Sequence, residues 1–485
     1  MVVKDSYSFY SENIPIAITI ESVKDEFVLV YNVSISKISQ NTEIILDKIK
    51  DELADKVRLN LGEVTDLKKS EFIRTKFQET IIYLLNKYLP DLPEDFKKFL
   101  TTYLMHKTLG LGKIELLLDD KNLEEVVINN ADEPVWVYHH KYGWLKTNIK
   151  LDNEEQIKHY SSLIGRKVGR SISLLTPLLD AQLETGDRVN ATLNPVSVKG
   201  NTITLRKFAA KPITITDMIN QKTISVAASS LIWLGIEYEL SALVTGGTAT
   251  GKTTVLSSLC SFFQPNQRII SVEDTNEIRL PKYLQWIPML TRLPNVEGKG
   301  EVTLLDLIVN SLRMRPDRIV VGEIRRQREA ETLFEAMHTG HSVYATLHAN
   351  DVEETINRIT NPPINIPKNL LPAISMIIVM YRNRRTGIRR IFQVAEILRD
   401  SNPNVLLQFD LRQDKILTVN KSLRLMPELE LQTGLTTQEI NENLKEKSLI
   451  LAWLAKKNLN EVNDIGKVVA TYYTNKDAVM QLIKK

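Results

Sequence analysis

The stretch that most restricts how this chain can fold is "GGTATGKTT", residues 246–254. The spacing G-x-x-x-x-G-K-[ST] is met by Gly246, Gly251, Lys252 and Thr253. Such a loop surrounds an anion with backbone N–H groups when a strand leads into it and a helix leads out of it. Here the apolar run "ALVT" precedes the loop, and a helical run follows it. The sequence therefore predicts a strand–loop–helix unit that binds a nucleoside triphosphate.

An α/β fold with a parallel sheet is predicted around this loop. Short, continuous apolar runs are typical of parallel strands that are covered on both faces. Four such runs occupy 242–245, 269–272, 319–322 and 342–347. In a sheet of this kind, ligands bind beyond the carboxyl ends of the strands. We therefore expect the residues that follow the four runs to surround one site.

The loop itself supplies the predicted phosphate-binding residues. They are Gly246, Gly247, Thr248, Ala249, Thr250, Gly251, Lys252, Thr253 and Thr254. Lys252 is expected to reach the β- and γ-phosphates, and the Thr253 hydroxyl is expected to hold Mg²⁺. ATP and Mg²⁺ are therefore the expected cofactors.

Two acids and a histidine follow the other apolar runs. Glu323 follows "DRIVVG" at the position of a catalytic carboxylate, although Gly322 stands where many nucleotide hydrolases have a metal-binding aspartate. Glu273 then becomes the candidate for the metal and water network, unless both acids are only strand-end partners in salt bridges. His348 follows the last run and could donate to a γ-phosphate oxygen. His341 could equally be structural.

Composition limits the class of protein. With 485 residues, 43% of them apolar and 25% charged, the chain is expected to form several soluble globular domains. The 62 basic and 59 acidic residues nearly balance, so a nucleic-acid partner is not expected. Cys260 is the one cysteine, which excludes a disulfide within this sequence and a cysteine-cluster zinc site. Neither a signal peptide nor a membrane span is expected.

The rest of the sequence shows patterns that predict strands and helices but no catalytic or binding residues. Alternating apolar residues at 14–20 and 27–35 predict two paired strands, and helical spacing predicts helices near 77–88 and 94–106. Further strands are predicted at "LEEVVIN", "PVWVYHH" and "NTITLRKF". Pro212 indicates a linker, and Thr216 is the expected cap of the helix that follows. Thr436 and Glu439 form an expected capping box.

The motifs together resemble a family. "GGTATGKTT", "IISVEDTNEI", "RMRPDRIVVGEIR" and "TGHSVYATLHAND" resemble, in this order, the Walker A, Asp, Walker B and His boxes of the type II/type IV secretion ATPase superfamily. Segments such as "LLDAQLETGDRVNATL" resemble its archaeal branch, which serves the archaellum and archaeal type IV pili. The resemblance covers about residues 105–400.

This resemblance implies a domain order. It implies a PAS-like α/β N-domain at 106–210 and a RecA-like P-loop ATPase C-domain with its core at 226–400. A β-hairpin and helical module at 1–105 precedes them, 211–225 is the predicted linker, and 401–485 is the predicted C-terminal helical region.

The resemblance also implies a function. Members of the superfamily form homohexamers that hydrolyse ATP to push pilin subunits through a polytopic membrane platform protein. The expected location is cytoplasmic, at the inner face of the membrane with a possible peripheral contact. The alternatives are an archaellum assembly or rotation ATPase, a RecA-type nucleic-acid translocase, and a scaffold that binds nucleotide without hydrolysis.

The resemblance also implies that certain arginines contact the nucleotide. Arg188 and Arg206 match family positions at which N-domain arginines meet the phosphates, although both could be ordinary surface ion-pair partners. Arg313 and Arg315 are weaker interface candidates. The chain departs from the family's archaeal pattern by one additional residue just after Arg325.

The segment "YRNRRTGIRR", residues 381–390, is dense in positive charge. A β-hairpin with a solvated basic face is expected there, with a contact to anionic lipid or to the platform protein as the alternative.

Overall fold

The computed structural model describes residues 2–35, 38, 40–57, 70–183, 185–208, 211–294 and 298–484. The chain divides into two compact units, Met1–Ala210 and Lys211–Lys485. Within the described residues, each unit contains one nine-stranded sheet. The mixed α/β class predicted from the sequence is confirmed, whereas the finer division into five segments stays a prediction.

The first unit begins with three strands and continues as a mixed α/β block. Its elements are β1 (Val2–Ser11), β2 (Ile14–Ser22), β3 (Val30–Ser34), α1 (Gln40–Lys56), α2 (Ser70–Tyr88), α3 (Glu94–Leu109), α4 (Lys113–Asp119), β4 (Leu123–Ile128), β5 (Trp136–His139), β6 (Gly143–Thr147), α5 (Glu154–Lys167), β7 (Leu178–Gln182), β8 (Arg188–Thr192) and β9 (Thr202–Arg206). The sheet order is β1-β2-β3-β6-β5-β4-β9-β8-β7.

The N-terminal strands belong to the same sheet as the α/β block, because β3 pairs in parallel with β6. The isoleucines of β2 that suggested a strand are all buried. The second predicted strand is β3, which pairs with β2 as expected. The prediction missed β1, in which only Tyr7 and Phe9 pack against the core as large apolar side chains and whose residues are mostly exposed or half-buried. The predicted helices correspond to α2 and α3, and the three later strands to β4, β5 and β9.

The second unit alternates strands and helices and ends in a helical region. Its elements are α6 (Ile215–Asn220), α7 (Val226–Glu237), β10 (Ala242–Gly246), α8 (Lys252–Leu259), β11 (Arg268–Glu273), β12 (Gln285–Leu290), α9 (Leu304–Ser311), β13 (Arg318–Val321), α10 (Gln327–His338), β14 (Ser342–Leu347), α11 (Val352–Thr360), β15 (Met376–Arg382), β16 (Arg389–Ile397), β17 (Pro403–Asp410), β18 (Lys415–Thr418), α12 (Leu425–Thr433), α13 (Thr437–Lys456), α14 (Val462–Thr474) and α15 (Lys476–Lys484). Short 3₁₀ helices lie at Cys260–Phe262 and Lys368–Ala373.

The sheet of this unit runs β12-β11-β13-β14-β10-β15-β16-β17-β18. From β12 to β15 in this order, all neighbouring strands are parallel. From β15 to β18, all neighbouring strands are antiparallel. Alternate residues of β10 enter opposite cores, since Val244 packs in one apolar cluster and Leu243 in the other. Both faces of the sheet are therefore covered, which explains why its central strands are continuous apolar runs. All four predicted central strands are confirmed.

Two local predictions need correction. Thr214, and not Thr216, caps α6: its side chain accepts from the backbone N–H of Asp217, whose carboxylate in turn accepts from the Thr214 backbone. Thr216 lies inside the helix and is buried. The C-terminal region predicted to be helical also contains β17 and β18, because these residues extend the sheet: β17 pairs with β16, and β18 pairs with β17.

Other local predictions are confirmed. The capping box of Thr436 and Glu439 starts α13, and the basic segment forms the hairpin of β15 and β16. No helix among the described residues is long and apolar enough to cross a bilayer.

Candidate functional site

Four neighbouring parallel strands of the second unit end at the same edge of the sheet. They lie in the order β11-β13-β14-β10. The residues that follow them were predicted to surround one site. A hydrogen bond between Lys252 and His348 and an ion-pair contact between His348 and Glu323 connect three of these strand ends. The site is built from the carboxyl edge of the sheet.

The loop between β10 and α8 has the backbone that an anion cradle requires. Gly246 has φ 153° and Gly251 has φ 92°, both in the region that favours glycine. A Cβ on Gly246 would lie 2.8 Å from the carbonyl oxygen of Met380, so a side chain there would collide with backbone. Gly251 caps α8 with a left-handed conformation. The loop therefore directs the free N–H groups at the start of α8 into its concave side.

Lys252 is held inside this loop. Its side chain is buried, and Nζ lies 3.1 Å from the carbonyl oxygen of Gly247 and 3.2 Å from Nδ1 of His348. Burial lowers the pKa of Lys252, and the charge of Glu323 opposes that shift. The loop is closed on its other side by Thr250, whose hydroxyl donates to the same carbonyl at 2.9 Å.

The remaining loop residues are open to solvent to different degrees. Thr248 and Ala249 are exposed at the tip, whereas Thr253 and Thr254 are half-buried in the first turn of α8. Ala249 has φ 59°, which turns the peptide at the tip. The predicted phosphate-binding residues thus form one continuous segment, which consists of the loop and the first turn of α8.

Glu323 is the centre of a charged network. Its Oε1 lies 2.8 Å from Nε2 of His348, and its Oε2 accepts from Arg325 at 2.6 and 2.9 Å. Arg325 also donates to Asp274 Oδ2 at 2.7 Å, and Asp274 in turn accepts from Thr291 at 3.2 Å. Asp274 directly follows β11 and was among the residues expected at this edge of the sheet, whereas no role was predicted for Arg325. Its position two residues after Glu323 was the signal that could have found it.

The surroundings of His348 favour a neutral ring. Burial lowers its pKa first, and the positive charge of Lys252 adds to that effect, while Glu323 opposes it. The ammonium group of Lys252 can only donate, so Nδ1 of His348 is the acceptor in that contact, and Nε2 faces Oε1 of Glu323.

Glu273 is almost fully buried at the end of β11, with 1% of its surface exposed. Its Oε1 accepts from the backbone N–H groups of Glu277 and Ile278, each at 3.0 Å. Its Oε2 has no hydrogen-bond partner among the described residues. Burial raises the pKa of Glu273 to about 7, against the effect of the two backbone N–H groups. A buried carboxylate oxygen without a partner is a suitable position for a metal-bound water or a cation.

The glycine before Glu323 packs beside Glu273. A Cβ on Gly322 would lie 3.4 Å from Cγ of Glu273, which is an ordinary van der Waals distance. The packing therefore does not by itself require a glycine at this position. The hydroxyl of Thr253 and the carboxylate of Glu273 are oxygen donors of the kind that Mg²⁺ prefers. Within the described part of the chain, no group of three or more His, Cys, Asp or Glu side chains could hold a metal without further ligands.

The remaining predicted residues lie elsewhere. Arg188 on β8 and Arg206 on β9 belong to the first unit, where they are directly opposite each other in the sheet. His341 contacts the end of α10, with Nδ1 at 3.2 Å from both Ala336 O and Thr339 Oγ1. Arg313 and Arg315, exposed residues between α9 and β13, complete the set.

The segment just after Arg325 is held by Glu329. This buried carboxylate accepts from the backbone N–H groups of Arg325 and Arg326, each at 3.0 Å. Helix α10 begins directly afterwards, at Gln327.

The chain is similar in sequence to proteins of one family. A family model described as "Type II/IV secretion system protein" matches residues 108–384. Two uncharacterized proteins of Methanocaldococcus jannaschii are 37% and 36% identical over 325 and 352 residues, which cover 66% and 70% of this chain. The alignments cover 58% and 46% of those two relatives, so the chain spans about half of their length.

A solved structure, the pilus retraction motor PilT with bound ADP, is also similar. It shares 18% sequence identity with this chain, with a TM-score of 0.43, and the match covers 70% of this chain and 92% of that one.

Proposed function

The chain belongs to the type II/IV secretion system protein family, and from that premise we propose that it is a motor ATPase. In this proposal it hydrolyses ATP to drive assembly of a type IV pilus-like filament, through a polytopic membrane platform protein. It acts as a homohexamer at the cytoplasmic face of the membrane. An archaellum drive is the alternative within the same family.

The observation that carries the proposal is the contact chain from the phosphate loop to a carboxylate. Lys252 Nζ lies 3.2 Å from His348, and His348 lies 2.8 Å from Glu323. A lysine inside a phosphate loop stabilises the β- and γ-phosphates. A carboxylate at the far end of this chain is then close to the terminal phosphate, where it can orient a water molecule and accept its proton. The residue proposed to bind the phosphates and the residue proposed to activate water thus lie at the same edge of the sheet.

Mg²⁺ is the second cofactor of the proposal. The Thr253 hydroxyl would hold it, with Glu273 as a ligand either directly or through water. The unpartnered Oε2 of Glu273 supports this assignment, because burial raises the pKa of this carboxyl group and a bound cation would stabilise its charged form. Bound Mg²⁺ would neutralise charge on the β- and γ-phosphates.

The two arginines of the first unit are arranged in a way that favours binding of an anion. Arg188 and Arg206 are cross-strand neighbours, and like charges in such a pair repel. Their carboxylate partners, Asp180 and Glu125, are each 3.9 Å away and hold them weakly. Both guanidinium groups are more than two-fifths exposed. A pair of this kind is stabilised by an anion that bridges it, and we propose that the nucleotide phosphates are this anion.

The proposal is tested first by ATP hydrolysis with the purified full-length chain. Hydrolysis should require Mg²⁺, and Lys252→Ala should abolish it. Lys282→Ala, at an exposed lysine of the same unit, is the matched control and should hydrolyse ATP like the wild type. Undiminished hydrolysis by Lys252→Ala would refute the assignment of the loop.

The filament is tested in cells that carry only the Lys252→Ala chain. These cells should lose surface filaments that wild-type cells display by electron microscopy. Added DNA should not change the hydrolysis rate of the purified protein. Strong stimulation by DNA with normal filaments would favour a nucleic-acid translocase instead.

A further inference from the structure

An arginine from the basic hairpin lies against the phosphate loop. Arg389 is the first residue of β16, and its Nε donates to the carbonyl oxygen of Ala249 at 3.3 Å. A Cβ on Gly251 would lie 3.8 Å from Cδ of the same arginine. The contact joins residues that are 140 positions apart in the sequence. The hairpin is therefore part of the wall of the loop.

Four arginines in the turn and at the start of β16 differ in their surroundings. Arg390 is buried, pairs with Asp414 at 2.8 Å and donates to the carbonyl of Gln221, so it stabilises the fold. Arg384 and Arg385 are exposed in the turn. Arg389 is half-buried, and its bond to Ala249 is the one side-chain hydrogen bond that it makes among the described residues. This leaves both Nη groups of Arg389 available beside the loop.

The sheet order gives the direction of the nucleotide. Glu323 and His348 follow β13 and β14, on one side of β10, whereas Arg389 starts β16, on the other side. Lys252 faces the first side through its contact with His348. A terminal phosphate near these three residues places the nucleoside end of the nucleotide toward β15 and β16.

We infer that Arg389 is a binding residue for the α-phosphate of the nucleotide. The inference rests on the proposed function and deepens it. A guanidinium forms strong, paired hydrogen bonds with phosphate oxygens. Its Nε is already fixed by Ala249, so the orientation of its two Nη groups is set before the ligand arrives. ATP and ADP share the α-phosphate, so the contact strengthens both and does not change during hydrolysis.

The first test compares binding with turnover. In Arg389→Ala, the Kd for ATP and the Kd for ADP should each rise about tenfold, as expected for one lost charge-assisted interaction. The KM for ATP should rise with them, and kcat should stay within about twofold, because equal binding of ground and transition states affects KM alone. Arg385→Ala removes the same charge from the same hairpin and should leave the Kd, the KM and kcat unchanged.

The second test identifies the group that is recognised. AMP and adenosine compete with labelled ADP on the wild type and on Arg389→Ala. The affinity for AMP should fall about as much as that for ADP, while adenosine should be unaffected because it has no phosphate. An equal loss for adenosine would overturn the inference, since Arg389 would then contact the base or the ribose.

The outcomes separate this inference from the proposed function. Unchanged Kd values in Arg389→Ala, with binding lost in Lys252→Ala, overturn the role of Arg389 alone. A fall in kcat at an unchanged KM also overturns it, because that result places Arg389 at the transferring phosphate. Retained hydrolysis in Lys252→Ala overturns the proposed function. Arg389→Lys keeps the charge without the fork and should have intermediate Kd values, which distinguishes lost contact from lost folding.

Discussion

Nε2 of His348 lies 2.8 Å from Oε1 of Glu323, and Nδ1 of the same ring lies 3.2 Å from Nζ of Lys252. One imidazole thus connects the phosphate loop with the carboxylate two strands away. The ring accepts from the ammonium through Nδ1, while its Nε2 faces the carboxylate. The positions of both charged groups are therefore linked through His348.

Glu323→Gln should bind nucleotide and fail to hydrolyse it. The amide keeps the shape of the side chain but cannot accept a proton from water, so kcat should fall by about 10² or more. ADP binding measured by calorimetry should stay within about threefold of the wild type. If ADP binding is lost as well, Glu323 supports the structure of the loop and the hydrolytic role is wrong.

His348→Ala should lower kcat by about tenfold or more, because the link between Lys252 and Glu323 is removed and their relative position is less well fixed. His341→Ala is the matched control, since His341 contacts only the end of α10 among the described residues. Steady-state hydrolysis of the two variants decides between the histidines. Equal activities would show that the imidazole of His348 has no part in the reaction.

Arg206→Ala and Arg188→Ala should each reduce kcat more than they weaken ADP binding. The reason is that an arginine that meets the phosphates in the transition state stabilises charge that is not yet present in the ground state. Arg166→Ala, at an exposed arginine of α5, should leave kcat unchanged. Variants of Arg188 and Arg206 with normal kcat would reduce both residues to surface ion-pair partners.

Dependence between subunits can be measured by mixing. Wild-type chains doped with Lys252→Ala chains should lose activity faster than the intact fraction falls, if sites in a homohexamer depend on each other. A linear decline would show that the sites of different subunits hydrolyse ATP independently and would contradict this prediction.

His139 should make the first unit less stable at low pH. Its ring is 2% exposed, and burial lowers its pKa to about 4, with the neighbouring His140 acting in the same direction. The unfolded histidine titrates near 6.5, so between pH 6.5 and 4 only the unfolded state takes up the proton. Stability is therefore lost as the pH falls through this window, by an amount on the order of 2 kcal/mol.

His139→Gln should remove this part of the pH dependence. Melting curves of both proteins at several pH values give the comparison, and the gap between their melting temperatures should change from pH 7 to pH 4.5 in favour of the variant. A constant gap would mean that His139 does not titrate differently in the folded state.

Lys447→Met should destabilise the second unit by about 3 kcal/mol, because the buried carboxylate of Glu237 then loses its partner. Lys447 is fully buried, forms an ion pair with Glu237 and lies over the rings of Trp233 and Tyr472. Replacing Glu237 by Gln in the same protein should recover more than half of the loss, as measured by denaturant unfolding. Lys445→Met, at an exposed position of the same helix, should change stability little.

The sequence by itself determined the elements whose signals are local. The spacing of Gly246, Gly251 and Lys252 requires a particular backbone, and the continuous apolar runs require burial on both faces. These two requirements together predicted the central sheet, the loop and the acids at the strand ends. The capping box at Thr436 was equally readable, because its partner is three residues away.

Only the tertiary structure decided which distant side chains meet. The contact of Arg389 with Ala249 and that of Arg325 with Asp274 join residues 140 and 51 positions apart. Nothing in the local spacing of either pair encodes its distance, because that distance depends on the order in which the strands pair. The unpartnered oxygen of Glu273 is likewise a result of packing, since burial depends on every element that covers β11. Local patterns specify the backbone of each element, and the assembled sheet specifies the neighbours of each side chain.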